Sequence, residues 1–190
     1  MSVYVLPRFE DASPTPVPGF SISLSPPQFG WIDFMMSAGS IVYTCTFSFV
    51  FDPFSKIRQF LERVAQGRSA ELLIEDEGHQ HFFRAGGNGA DGMFRLGAWN
   101  TLALRKSEDD RYALTPVFDV LTNRGVFVAS FNRAILAIWG KPTSEAFKRA
   151  WLNCSANDDP SAAEDAALLQ LPAVQSPLLE RYLTTLDLAG

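Results

Sequence analysis

The sequence predicts an α+β protein in which a mostly antiparallel sheet of about six strands packs against helices. Between residues 30 and 83, hydrophobic side chains first alternate, then recur at helical spacing, and then alternate again. Hairpin signals dominate the chain, and no strand–helix–strand series recurs. We therefore expect the element order ββαββββα followed by a helical tail.

Two strands at residues 31–36 and 41–51 form the first predicted hairpin, around a small and polar loop at residues 37–40. Apolar and hydroxyl side chains alternate in the second strand, which indicates a sheet with one buried and one exposed face. The side chains expected on the buried face are Tyr43, Cys45, Phe47 and Phe49.

A helix start follows at Asp52-Pro53, because an Asp side chain caps free backbone N–H groups and Pro suits the first helical position. The apolar stripe Phe54, Ile57, Leu61 and Val64 continues from there. Gly67 can close this helix in a left-handed conformation.

A second predicted hairpin joins residues 70–75 to 79–85. A long strand over residues 94–106, bent near Gly97, should then return at the sheet edge over residues 111–121, because Pro116 cannot donate to a ladder. Thr122 or Asn123 can cap a helix that runs to Trp139. Further helix starts are predicted at Thr143, at Ser161 with Glu164 in a capping box, and at Ser176-Pro177.

These patterns divide the chain into a Pro-rich extended arm over residues 1–29, an α+β core domain over residues 30–153, and a helical C-terminal tail over residues 154–190. Six of the twelve prolines lie in the arm. The apolar residues of the arm suggest that it packs on the domain, and docking on a neighbouring subunit is the alternative.

The composition is globular, with 47% hydrophobic and 19% charged residues. Sixteen Phe and four Trp indicate either an aromatic core or a surface held for a partner. A net charge of -5 and the absence of long Lys/Arg clusters argue against nucleic acid as a partner.

Cys45 and Cys154 form neither a disulfide framework nor a zinc pattern. The N-terminus lacks signal-peptide features, and residues 126–139 are too short and polar to cross a bilayer, so we predict a soluble, cytoplasmic protein with no membrane contact.

The chain contains two histidines, His79 and His81, spaced to lie on the same face of a strand. With a neighbouring carboxylate they are candidate metal ligands, and the alternative is a solvated hairpin tip.

The glycine-rich run 86–92 lacks the Lys and the helix of a phosphate-binding loop, so we expect no cofactor. No catalytic residue is identified. Asp33 lies in an apolar strand and must be either exposed or paired.

Residues 30–78 resemble a set of small uncharacterised bacterial α+β proteins. The resemblance consists of a Gly-Trp-Ile-Asp-Phe strand at residues 30–34, an Asp-Pro-Phe helix start at residues 52–54, and an Asp-Glu-Gly turn at residues 76–78. A Leu61-Glu62 pair leading to Gly67 completes it. It implies a scaffold without a known catalytic residue, and proteins of this build sometimes act as immunity or inhibitor-like partners.

Two functions are consistent with these observations. The first is a protein-binding module, interaction or immunity-like, that binds a protein partner or itself as a homodimer. The second is a small-molecule-binding domain or an enzyme, with a pocket between sheet and helices near the hairpin of His79 and His81. An exposed apolar patch would favour the first, and a cleft into which titratable groups converge would favour the second.

Overall fold

The computed structural model describes residues 4–5, 16–17, 19–51, 53–76, 78–87, 92–101, 104–106, 112–114, 117–139, 150–151 and 176–187. Its fold is α+β, with two antiparallel sheets of three and four strands and three helices. The strands are β1 (Tyr4–Val5), β2 (Phe20–Leu24), β3 (Trp31–Ala38), β4 (Ile41–Ser48), β5 (Ala70–Asp76), β6 (His79–Gly86), β7 (Met93–Asn100), β8 (Leu104–Lys106), β9 (Tyr112–Leu114) and β10 (Phe118–Asn123). The helices are α1 (Phe54–Ala65), α2 (Arg124–Trp139) and α3 (Pro177–Asp187).

The three-stranded sheet has the order β2-β3-β4 and is antiparallel throughout. The predicted first hairpin is confirmed by the β3–β4 ladder, although β4 ends at Ser48 and a 3-10 helix follows at Phe49–Phe51. Alternate side chains of β3 and β4 are buried, as the one-sided pattern predicts. The short strand β2, within the predicted arm, completes this sheet and lies against α2.

The four-stranded sheet has the order β10-β7-β6-β5, with every neighbouring pair antiparallel. The predicted second hairpin is confirmed by the pairing of β5 with β6, in which Asp76 lies opposite His79. A third, smaller sheet has the order β1-β9-β8, in which β1 and β9 are parallel.

Helix α1 ends as its sequence predicts. Gly67 adopts a φ of 73°, its N–H donates to the Val64 carbonyl at 2.9 Å, and the Arg68 N–H donates to the Arg63 carbonyl at 2.9 Å. These two bonds satisfy carbonyls that the helix end would otherwise leave free. At the start, Pro53 occupies the cap position and the helix begins at Phe54, one residue later than expected; Asp52 lies outside the described residues.

Side-chain caps begin the other two helices. The Asn123 Oδ1 atom accepts from the N–H groups of Gly125 at 2.8 Å and Val126 at 3.2 Å, so Asn123 is the cap of α2. The predicted start at Ser176-Pro177 is confirmed, with the Ser176 hydroxyl accepting from the Leu179 N–H at 3.3 Å. Leu179 is buried, and α3 contacts both α1 and α2. The predicted starts at Thr143 and Ser161 lie outside the described residues.

One aromatic core joins both large sheets to the helices. The Phe34 ring of β3 contacts Phe83 of β6 with 5.9 Å between ring centroids, and it contacts Phe131 of α2 at 5.5 Å. The Phe127 ring of α2 is the second centre, with neighbours on β2, α1 and β7: Phe20, Phe60 and Phe94. Most of the Phe excess in the described residues is therefore explained by packing.

The predicted single sheet of about six strands is wrong, and the predicted element order ββαββββα does not match the structure. Strands β4 and β5, which flank α1, contact each other without a shared ladder, so the two hairpins belong to different sheets. The strand predicted over residues 94–106 ends at Asn100, and β8 joins the small third sheet. Helix α1 lies between β4 and β5 in the chain, so β5 does not continue the β4 edge. The hydrophobic pattern of the sequence does not reveal this separation.

Candidate functional site

A buried polar network connects the two large sheets. Tyr43 projects from β4 and is 1% exposed, and its hydroxyl oxygen lies 2.7 Å from the Nδ1 atom of His81 on β6. His81 is 3% exposed, and its ring meets that of Tyr43 edge to face. The Tyr43 hydroxyl also lies 3.3 Å from the Trp99 carbonyl oxygen on β7. A single side chain of β4 therefore reaches two strands of the opposite sheet.

Asp76, the last residue of β5, completes the network. Its Oδ2 atom lies 3.1 Å from His81 Nε2 and accepts from the Thr46 hydroxyl at 3.1 Å. Its Oδ1 atom accepts from the His79 backbone N–H at 3.1 Å and lies 3.4 Å from His79 Nδ1. The Thr46–Asp76 bond joins the adjoining edges of the two sheets. The carboxylate is satisfied on both oxygens, as a mostly buried charge requires.

These contacts determine how the His81 ring is protonated. A carboxylate only accepts hydrogen bonds, so Nε2 carries the proton toward Asp76 and Nδ1 accepts from the Tyr43 hydroxyl. Burial lowers the pKa of His81, and the hydrogen bond and charge of Asp76 oppose that shift only in part. The folded protein therefore holds His81 as a neutral imidazole between two partners.

The geometry gives the network a structural role. A Tyr–His–Asp chain has the connectivity of a proton relay, but a nucleophile or general acid must be within reach of a substrate. Tyr43 is almost fully buried, and burial, together with Cys45 and Asp76, raises the pKa of its hydroxyl far above its ordinary value. The buried neighbour Cys45 has its thiol pKa raised in the same way. Both raised pKa values disfavour the ionised forms that a nucleophile or general base needs. We therefore assign the network the role of joining the two large sheets.

The structure brings the two predicted metal ligands to one carboxylate but into different environments. His81 is buried, whereas the side chain of His79 is 45% exposed at the hairpin tip. Both His81 nitrogens already have protein partners, so ligation would require breaking one of those bonds. Among the described residues, no group of three or more His, Cys, Asp or Glu side chains is arranged to hold a metal ion. Metal binding by His79 and His81 stays a prediction.

The outer face of the three-stranded sheet is a second candidate site. We name it the neutral face, and its members come from β2, β3 and β4: Ser21, Ser23, Met35, Ser37, Val42 and Thr44. All are exposed except the half-buried Ser37, with Met35 at 44% and Val42 at 52%. Asp33 is exposed beside them and is the one charged side chain that the three strands carry on this face. An open sheet face usually carries more charge than this.

Exposed apolar side chains continue where β3 begins and β4 ends. The Phe49 N–H donates to the Gly30 carbonyl at 3.0 Å; Phe29 precedes this backbone contact in the chain, and Val50 and Phe51 follow it. These three residues, named here the apolar tip, are 77%, 55% and 40% exposed in that order. Phe29 has a φ of 51°, and it is the one non-glycine residue in the described ranges with a positive φ. A bulky residue in this conformation is strained, and exposure gives it little burial in return.

Sequence reasoning missed both surfaces, although a signal for them was present. Residues 12–51 contain a single charged residue, Asp33, in a chain with 37 charged residues among 190. Among the described residues, nine large apolar side chains are exposed, and six belong to this charge-poor stretch: Phe29, Met35, Ile41, Val42, Val50 and Phe51. Charge depletion combined with exposed Met and Phe is typical of the centre of protein interfaces.

The described part of the chain is thus an α+β protein in which a buried polar network joins the two large sheets, and in which the outer face of the β2-β3-β4 sheet carries a single charge, Asp33. Within that part of the chain, no helix is both long and apolar enough to span a membrane. Comparison with family models, with curated proteins and with solved structures finds no match to this chain.

Proposed function

We propose that this chain is a protein-binding module that docks through the neutral face and the apolar tip. The partner we expect is a protein surface that carries little charge and is largely apolar, because Asp33 is the one counter-charge that the three strands offer on this face. The concentration of exposed apolar residues within the charge-poor residues 29–51 is the observation that carries the proposal.

The conformation of Phe29 supports the same function. Its strained backbone and 77% exposed ring do not contribute to folding in any evident way. Strain of this kind is commonly retained at functional sites, and large aromatic residues are the usual anchors of protein interfaces. A binding role explains why a phenylalanine occupies a position that suits asparagine or glycine better.

The alternative, an enzyme or small-molecule site near His79 and His81, has weaker support. The titratable groups converge at Asp76, but Tyr43 and His81 are buried and bonded to one another. A substrate would need access to at least one of them. The exposed member of the cluster, His79, already contacts the Asp76 carboxylate.

Capture experiments on native cell extract test the proposal. The tagged wild-type protein and the Met35→Glu variant are compared, retained proteins are identified by mass spectrometry, and binding is then measured between purified partners. Met35→Glu inserts a charge at the centre of the neutral face, so we expect affinity to fall at least about tenfold, as for a charge buried without a partner.

Gln59→Glu is the matched control, because Gln59 is exposed on α1 and the substitution adds the same charge away from the face. Thermal unfolding of both variants verifies that they fold. A captured partner whose affinity is equal for Met35→Glu and Gln59→Glu would contradict docking through the neutral face.

A further inference from the structure

We infer that the neutral face pairs with the neutral face of a second copy of this chain, forming a weak two-fold dimer. The inference rests on the proposed function, for which it names the partner. Two-fold dimers are the commonest soluble oligomers, and they require a surface that is complementary to itself. A face with a single charge, Asp33, and otherwise hydroxyl and apolar side chains meets that requirement.

The charge of the molecule selects this face. Each copy carries a net charge of -5, so two copies repel one another in most orientations. The neutral face has Asp33 as its one charge, so two copies that meet across it bring few like charges together. Pairing through it also leaves the charged helix and hairpin surfaces in water.

Burial of the Ser21 and Ser37 hydroxyls on this face costs little free energy. The hydroxyl oxygens of Ser21 and Ser37 lie 2.8 Å apart across β2 and β3 and already share a hydrogen bond. A hydroxyl that keeps a partner loses little when water is removed. Met35 and Val42, which flank this pair, supply the apolar contact.

The size of the surface predicts a weak dimer. Three strands about 4.8 Å apart, with a rise of about 3.4 Å over the eight residues of β3, give a flat area of roughly 350 Å². Phe29, at 77% exposure, adds about 150 Å². Two copies would then bury about 1,000 Å² in total, which is near the lower limit for a specific interface. We therefore expect a dissociation constant in the micromolar range.

Sedimentation velocity on the full chain, from about 1 to about 300 µM, tests the dimer over the range expected for an interface of this size. The wild type and Gln59→Glu should shift from monomer to dimer together. Met35→Glu should weaken self-association at least about tenfold, because two added charges meet across the axis. Asp33→Asn should strengthen it, because two like charges leave the interface, and this variant keeps the test valid if Met35→Glu does not fold.

Each outcome has a definite meaning. A wild-type protein that stays monomeric up to the highest concentration overturns the dimer, and Met35-dependent capture of a different protein would then still support the proposed function. A dimer that Met35→Glu and Asp33→Asn leave unchanged overturns the assignment of the face. If neither self-association nor capture depends on Met35, both proposals are wrong.

Discussion

His81 is a titratable side chain that folding places in the core, with one ring nitrogen on Tyr43 and the other on Asp76. Its place on the buried face follows from alternation along β6, but its partners come from β4 and β5. The hydrogen bonds stabilise one tautomer and one ring orientation, so this residue aligns the two sheets. Phe29 is the opposite case, since its ring is exposed and its backbone strained.

Protonation of His81 should destabilise the fold. Burial lowers its pKa in the folded state, so the unfolded chain binds the proton more tightly. The contribution of neutral His81 to the free energy of unfolding is fully present above the pKa of about 6.5 that histidine has in the unfolded chain. It is lost as the pH falls below that value toward the lower pKa of the folded state. We expect the free energy of unfolding, measured by chemical denaturation, to decrease between about pH 6.5 and pH 5.

Two variants isolate this effect. His81→Asn removes the titrating group, so the decrease over that pH range should become shallower even if the variant is less stable at every pH. His79→Gln replaces the chain's other histidine, whose charge is the smallest of the causes that shift the pKa of His81, so the slope should become only slightly shallower. A wild-type slope in His81→Asn would mean that other groups cause the pH dependence.

Phe29→Asn should stabilise the isolated protein while weakening its association. Asparagine tolerates a positive φ better than phenylalanine, whose left-handed conformation costs about 1–2 kcal/mol, so we expect a gain of up to about 1 kcal/mol. Urea denaturation gives the stability, and sedimentation gives the association. Phe51→Asn is the control, because Phe51 has no positive φ and should show no gain. A clear loss of stability in Phe29→Asn would show that the ring packs against the fold.

At the element scale, the ends of the helices depend on single residues that local sequence identifies. Gly67 closes α1 through a backbone hydrogen bond, and Asn123 opens α2 because its side-chain oxygen accepts from backbone N–H groups, in both cases within a few residues. Local bonds of this kind do not depend on the rest of the fold, which is why the sequence predicts them. The end of β7 at Asn100 has no comparable local signal.

Gly67→Ala should cost about 1 kcal/mol, because alanine at a positive φ is strained. An added Cβ would lie 3.4 Å from the Arg124 side chain, an ordinary contact, so backbone strain alone sets the cost. The thermal unfolding midpoint measures it. Gln66→Ala is the control, since Gln66 has an ordinary φ of -77°. Equal midpoints for the two variants would show that the left-handed cap contributes nothing.

At the scale of the whole molecule, charge is distributed unevenly between the sheets. The four-stranded sheet carries ion pairs between neighbouring strands, such as Arg84 with Glu71 and Arg95 with Asp119. The three-stranded sheet has only Asp33 on its outer face. Ion pairs of this kind favour contact of the four-stranded sheet with water, whereas a face with one charge loses little hydration free energy when a partner covers it.

Salt should therefore strengthen the proposed self-association. Two copies with a net charge of -5 repel at long range, and screening shortens that repulsion. Between about 0.05 and 0.5 M NaCl we expect the dissociation constant to fall several-fold in sedimentation equilibrium. An interface held by salt bridges would weaken over the same range, and that result would contradict pairing through the neutral face.

The sequence alone predicts both hairpins, the end of α1 at Gly67, a cap of α2 at Thr122 or Asn123, and the burial of alternate aromatic side chains in β4. Those features depend on interactions within a few residues or on the period of one element. The tertiary structure divides most of the strands between two large sheets and brings Tyr43, His81 and Asp76 together between them. It also decided that Met35 and Phe29 stay exposed. Pairing between distant strands and the covering of a surface depend on long-range packing. The hydrophobic periodicity of a single element carries no information about such contacts.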